Sequence, residues 1–350
     1  MSWIGPPRPG RPAHSGGYRG RVTVPADVVA DLSEDELIAS FLPLLPRGGR
    51  TLVPNGDDAA VVAAPDGRFC VSTDVLVAGH HFRLDWSSGA DVGWRAAMQN
   101  LSDIAGMGAE PTAMVVALVL PPATPVAWLH DFCRGMGEAC APLGVGVDGG
   151  DLSAGEQLVV AVTVHGDLGG RAPVLRSGAR PGDVVAHSGR LGRSAAGYAL
   201  LASGRRGGAD EELITDFLRP RPALAAGPAA ARAGASAMMD VSDGLLRDGR
   251  RLARASGVVL ELGPLEETVP GAVAQVADAA ARLGVEPVDW LLSGGEDHGM
   301  LATFPAGTTL PDGFVALGRV SAPTAELPAG TVTVAGAVPD VTPGWDHFRP

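Results

Sequence analysis

The sequence predicts an α/β protein built in two halves of similar length, and three observations lead there. Apolar runs of strand length alternate with longer helical patterns along most of the chain. Gly and Pro are abundant, 49 and 29 residues, but they punctuate the apolar runs instead of forming one tract, as tight turns require. At 350 residues the chain can bury two cores, and 46% hydrophobic with 19% charged residues is ordinary for a globular protein.

Residues 1–32 are rich in Pro, Gly and Arg, lack the apolar stretch of a signal peptide and read as a disordered extension. Order begins at Ser33, where Ser33-Glu34-Asp35-Glu36 has capping-box spacing for a helix to about Leu45. Runs 59–64 and 68–77 read as strands about the turn Pro65-Asp66-Gly67. Residues 91–107 read as a helix, and 113–120 (AMVVALVL) as an apolar strand stopped by Pro121-Pro122. Thr124-Pro125 offers an N-cap and a proline at the first helical position for a helix to about Pro142. Strands at 145–147 and 158–164 close a first domain over 33–168, and Gly169-Gly170 opens a second over 169–350. There the pattern gives a strand at 183–187, helices at 194–202, 211–218 and 223–233, and a strand at 236–241. A helix from near Asp243 follows, then strands near 298–304, 314–320 and 331–334.

Composition removes several function classes. A net charge of -12 argues against nucleic acid as a partner, and no apolar run is long enough to span a bilayer as a helix. Cys70, Cys133 and Cys140 lack metal-ligand spacing and read as buried free thiols of a cytoplasmic protein. All 27 basic residues are Arg. A Walker-type kinase uses a lysine at its phosphates and a pyridoxal enzyme needs one for its Schiff base, so both are excluded. Phosphate chemistry here must rest on metal ions, Arg and backbone N–H groups.

Acids recur beside glycine where apolar strands are expected to end: Gly56-Asp57-Asp58, Ser72-Thr73-Asp74, Gly149-Gly150-Asp151, Asp240-Val241-Ser242-Asp243-Gly244 and Gly294-Gly295-Glu296-Asp297. Asp103 adds a carboxylate to an otherwise apolar helix. Magnesium takes carboxylates together with waters and phosphates, and glycine lets backbone N–H groups approach a ligand. One Asp-Gly turn alone is ordinary turn chemistry. Recurrence brings a metal–phosphate site level with that reading.

In this order, NGDDAAVV (55–62), STDVLVAGHHF (72–82), NLSDIAGMGAEP (100–111), GGDLS (149–153), RSGARPGD (176–183), GRLGRSAAG (189–197), DVSDGL (240–245), LSGGEDHGML (292–301) and GWDHF (344–348) resemble thiamine-monophosphate kinases. These belong to the aminoimidazole-ribonucleotide-synthetase-like superfamily. The resemblance implies a two-domain PurM-like fold whose N-terminal α/β domain pairs across a homodimer, and ATP-dependent phosphorylation of thiamine monophosphate. It implies several Mg²⁺ ions per site, held by Asp58, Ser72, Thr73, Asp74, Asp103, Asp151, Asp240 and Asp243. By the same matching, Gly150, Asp151, Arg176 and Ser242 contact ATP, while His81, Glu296 and Trp345 contact the substrate. Asp103, Asp151 and Arg176 are the expected catalytic residues.

The chain departs from the family pattern at Leu152-Ser153-Ala154, at His298 where Tyr is usual, and at Arg95 where Lys is frequent. Other superfamily substrates, of the aminoimidazole ribonucleotide synthetase or hydrogenase-maturation type, form the alternative. Selenophosphate synthesis would call for an early reactive cysteine, and hydrogenase maturation for a terminal one. The first cysteine is Cys70 and the sequence closes Phe348-Arg349-Pro350.

Overall fold

The computed structural model describes residues 28–55, 59–341 and 344. Strands β1 (Thr51–Val53) and β2 (Val61–Val62) form a short antiparallel ribbon. Next, β3 (Cys70–Val77), β4 (Glu110–Leu120), β5 (Gly146–Ala154) and β6 (Val159–Asp167) make a sheet in the order β3-β6-β4-β5. Only β4 and β5 are parallel in it. Parallel neighbours need a crossover. That crossover is helix α3 (Val126–Cys140), which packs with α2 (Gly89–Gly106) over one face. The core between them holds Leu101, Ile104, Met114, Phe132, Met136, Val160, Val162 and Val164. Helix α1 (Glu34–Phe41) opens with the expected capping box: the Ser33 hydroxyl accepts from the Glu36 amide, and the Glu36 carboxylate accepts from the Ser33 amide.

The second half is a sheet of β7 (Val184–Ser188), β8 (Ala237–Val241), β9 (Val259–Leu262), β10 (Gly299–Phe304), β11 (Phe314–Ser321) and β12 (Val332–Val334), ordered β12-β9-β11-β7-β10-β8. Its helices are α4 (Arg193–Ala202), α5 (Glu211–Leu218), α6 (Ala226–Arg232), α7 (Leu245–Ser256), α8 (Leu265–Thr268), α9 (Pro270–Leu283) and α10 (Pro287–Ser293). A large core lies on one face of this sheet. A smaller one on the other face joins Met238, Met300 and Phe304 to Ala105 of α2. Helix α2 is therefore shared between the sheets. Its approach to β8 depends on glycine, because a Cβ on Gly106 would lie 3.1 Å from the Asp240 amide nitrogen.

Several expectations change. Ser72-Thr73-Asp74 sits in the middle of β3, and Gly149-Gly150-Asp151 within β5, not at strand ends. Pro125 is itself the N-cap of α3, without a side-chain cap bond, instead of its first helical residue. The helices over 265–293 are additions to the sequence reading. Cys133 and Cys140 are buried free thiols pushed up to about 12 by burial, whereas Cys70 is only half-buried. Among the described residues, no helix is long and apolar enough to cross a membrane.

Candidate active site

Arg95, Gln99 and Asp103 are four residues apart on α2, so they form one stripe along the helix. Alternation in β3 turns Ser72 and Asp74 to the face covered by α2 and turns Val71, Thr73 and Val75 away. The stripe meets that face residue by residue. The Ser72 hydroxyl donates to Asp103 Oδ2 at 2.6 Å, and Gln99 Nε2 donates to Asp74 Oδ2 at 3.3 Å. Arg95, at the N-terminal end of the stripe, forms an ion pair with Glu296.

The second sheet closes the site from the other side. Asp240 shares the face of β8 that carries Met238, toward α2, and its Oδ2 meets His298 Nδ1 at 3.3 Å. The loops after β8 and before β10 are stitched together: the Glu296 amide donates to the Ser242 carbonyl at 2.8 Å and the His298 amide to the Val241 carbonyl at 3.1 Å. Close approach there requires glycine, since a Cβ on Gly295 would fall 2.4 Å from the Ser242 carbonyl oxygen. Glu296 and His298 both take positive φ, 69° and 52°, a costly backbone state that marks functional turns.

The electrostatics register the convergence. Burial, then the nearby Asp240 and Asp74 carboxylates, pushes the Asp103 carboxyl up to about 7, against the Ser72 hydrogen bond and His298. Asp74 is raised chiefly by burial, with Asp240 and Glu296 adding to it. Burial opposes the charge on His298, but the hydrogen bond to Asp240 and the charges of Glu296, Asp240 and Asp103 outweigh it and raise the imidazole to about 9. Carboxylates from β3, α2 and β8 are thus near enough to raise one another, with the His298 imidazole against Asp240 as the nearby cation. An all-oxygen set of this kind suits Mg²⁺. Among the described residues, however, no three His, Cys, Asp or Glu side chains are grouped so as to hold a metal ion. The donors are gathered in one region but not closed around a point.

The structure does not bring all the remaining expected site residues to this centre. Asp243 is ion-paired to Arg251 at 2.7 Å, and its amide donates to buried Asp248 at 2.8 Å. Thr73 and Asp151 occupy the other face of the first sheet. Thr73 donates to the Val162 carbonyl at 2.8 Å, and Asp151 accepts from the Ser153 hydroxyl at 3.1 Å in a row with Ala117, Ala161 and Val75. Gly150 lies against β4, where a Cβ would come 1.9 Å from the Val116 carbonyl oxygen. Arg176 is exposed on a loop fastened beside β8, where the Met238 amide donates to the Leu175 carbonyl at 2.9 Å. His81 Nδ1 accepts from the Val77 amide at 3.0 Å. Asp58 and Trp345 lie outside the described residues.

The sequence reading did not assign Gln99, Asp248 or Asp297 to the site. Asp248 is pushed up to about 6 by burial with Asp243 and Asp240 beside it. Asp297, also raised to about 6 by burial, accepts from the Ser194 amide at 2.8 Å. For Gln99 a signal existed, its spacing four residues before Asp103.

Residues 56–168 match the AIR synthase related protein N-terminal domain, and 180–306 the AIR synthase related protein C-terminal domain. A thiamine-monophosphate kinase of Mycobacterium tuberculosis is 50% identical over 286 residues, spanning 79% of this chain and 82% of that protein. One from Corynebacterium glutamicum is 40% identical over 331 residues, spanning 91% and 95%. The solved structure of AaThiL complexed with AMPPCP and TMP superposes with a TM-score of 0.72 at 30% identity, covering 95% of this chain and all 100% of that one. Matched in both halves and along most of its length, the chain belongs to the AIR synthase related family, among its thiamine-monophosphate kinases.

Proposed function

We propose that the chain transfers the γ-phosphoryl group of ATP directly to thiamine monophosphate, giving thiamine diphosphate and ADP. The observation that carries this reading is the gathering of Asp74, Asp103 and Asp240 about α2, between the two sheets, in a chain half identical to a thiamine-monophosphate kinase. AaThiL has been solved with AMPPCP and TMP together, which supports a site for both substrates on this fold.

In this reading Asp74, Asp103 and Asp240, with Ser72 beside Asp103, would hold Mg²⁺ ions. Asp58, Thr73, Asp151 and Asp243 are the further ligands that the family resemblance implies, and of these Thr73 and Asp151 sit on the opposite face of the first sheet. Once bound, the ions supply neutralisation of phosphate charge. The acceptor is a phosphate oxygen, already anionic at neutral pH, so no strong general base is needed. Arg176, on its exposed loop, reaches the nucleotide phosphates, and the backbones at Gly150 and Ser242 border them. His81, Glu296 and Trp345 take the thiamine, whose cationic ring suits a carboxylate and an indole. Asp103, Asp151 and Arg176 carry the catalytic burden by orientation and charge. The functional unit is a cytoplasmic homodimer, with domains over 33–168 and 169–350.

The test is direct. Protein, Mg²⁺, ATP and thiamine monophosphate are mixed, and thiamine diphosphate and ADP are measured. Asp103→Asn and Asp151→Asn are each expected to lower turnover by about a hundredfold or more with the far-UV spectrum unchanged. Full activity in both variants would sink the site.

A further inference from the structure

Arg95 is the least expected member of the site. Its side chain is 3% exposed, yet it belongs to neither sheet and none of the proposed substrate contacts is assigned to it. Three contacts hold it: the Glu296 carboxylate, the Phe217 carbonyl at the end of α5, and the Phe217 ring, 4.6 Å from the guanidinium carbon. Glu296 is different in kind. It sits at φ 69° in a glycine-flanked turn and its side chain remains 42% exposed. Arg95 engages Oε2, and the 42% exposure of the side chain leaves part of the carboxylate open.

We propose that Arg95 is a positioning residue for substrate selection: from inside α2 it fixes the Glu296 carboxylate so that its open side meets a cationic heteroaromatic ring. The inference rests on the proposed activity and deepens it. A Glu side chain has several rotatable bonds, and immobilising it on binding is unfavourable; a carboxylate already held loses less. Arg also places the charge more rigidly than Lys, because its planar fork can engage the carboxylate and the Phe217 carbonyl together. Pairing with Arg partly neutralises Glu296 and so weakens its pull on a cation. Orientation outweighs that loss only if the carboxylate is otherwise mobile, and the exposed, strained turn that carries it supplies that condition.

The experiment is a double-mutant cycle read in steady-state kinetics with wild type, Arg95→Met, Glu296→Gln and the double variant. Arg95→Met should raise KM for thiamine monophosphate about tenfold, with KM for ATP and kcat changed less than about threefold. In the Glu296→Gln background the same substitution should add nothing, because the carboxylate it positions is gone. Arg95→Lys, which keeps the charge but not the fork, should recover most of the affinity. Should Arg95→Met fail to fold, Arg95→Gln, which removes the charge while keeping a polar side chain, takes its place in the cycle. Equal KM effects in both backgrounds, or a loss confined to kcat, would overturn the positioning role and leave a purely structural clamp on α5. Wild-type protein that forms no thiamine diphosphate would sink the proposed activity and this inference with it, whereas wild-type turnover with an additive cycle sinks the inference alone.

Discussion

Asp103 concentrates the chemistry of the site in one side chain. Its carboxyl ionises near 7 in the folded chain instead of at 3.8, so above that range the metal-free fold holds a charge that the unfolded chain would carry more easily. The sign follows: this residue stabilises nothing at neutral pH, and its burden grows as pH rises from 3.8 through about 7. At pH 8 in the presence of a chelator, Asp103→Asn should therefore raise unfolding stability by about 1–3 kcal/mol, part of the gain being offset by the altered Ser72 contact. Urea unfolding of the two proteins checks it, and a less stable variant would contradict the account. His187 works in the opposite sense. Burial holds its imidazole down to about 4, and its Nε2 has no partner among the described residues. Stability from the neutral ring is present above about 6.5 and lost as pH falls toward 4. Between pH 7 and 5 the wild type should lose about 2 kcal/mol through this group, and His187→Leu should lose correspondingly less; parallel slopes of stability against pH would refute it. The sequence made Asp103 legible, because a carboxylate amid Ile104, Ala105 and Met107 has no solvent to face. It left His187 silent, because a histidine in an apolar strand looks the same whether or not its ring finds a partner.

At the scale of elements, α2 is placed by glycines as much as by apolar residues. A Cβ on Gly93 would lie 2.0 Å from the Phe132 carbonyl oxygen, and one on Gly135 would lie 2.0 Å from that of Ala90. Both obstacles are backbone, so α2 and α3 would have to part. Gly93→Ala gains helix propensity of about 1 kcal/mol, but the forced separation should outweigh it, for a net loss of about 1–3 kcal/mol. Gly271→Ala in α9 is the control, since its Cβ would meet nothing within 4 Å; it should be neutral or stabilising by up to about 1 kcal/mol. Thermal unfolding of both variants decides the matter, and equal shifts would deny the close crossing. Helices and apolar strands were readable from their periods and caps, as Ser33 and Glu36 demonstrate. The acidic segments of β3 and β5 were placed at strand ends because Gly and Asp weaken a strand pattern. Pairing overrides that local weakness: Gly150 lies so close to the Val116 carbonyl oxygen that only a residue without Cβ fits the row.

Over the whole molecule, the two α/β halves were legible, while the joining of Arg95 to Glu296, 201 residues apart, was not. No local pattern encodes which helix two sheets will share. The first sheet also presents an unfinished surface. Its inner face is covered by α2 and α3, but its outer face exposes Val71 at 58%, Val75 at 49% and Val115 at 36%, beside a cavity of about 920 Å³ that Val115, Ala161 and Thr163 help to line. Exposed valines gathered on one sheet face, here interleaved with Thr73 and Thr163, point to association. Twofold pairing uses the same patch on both partners, so one face suffices for the proposed homodimer. Sedimentation equilibrium should accordingly give about 71 kDa, twice the chain mass of 35.5 kDa. Val71→Glu together with Val115→Glu would bring like charges together across the twofold and should return the mass to that of one chain, with helical content preserved. A double variant that stays dimeric would place the partner on another face, and a wild type that sediments as a monomer would leave this apolar face without an occupant.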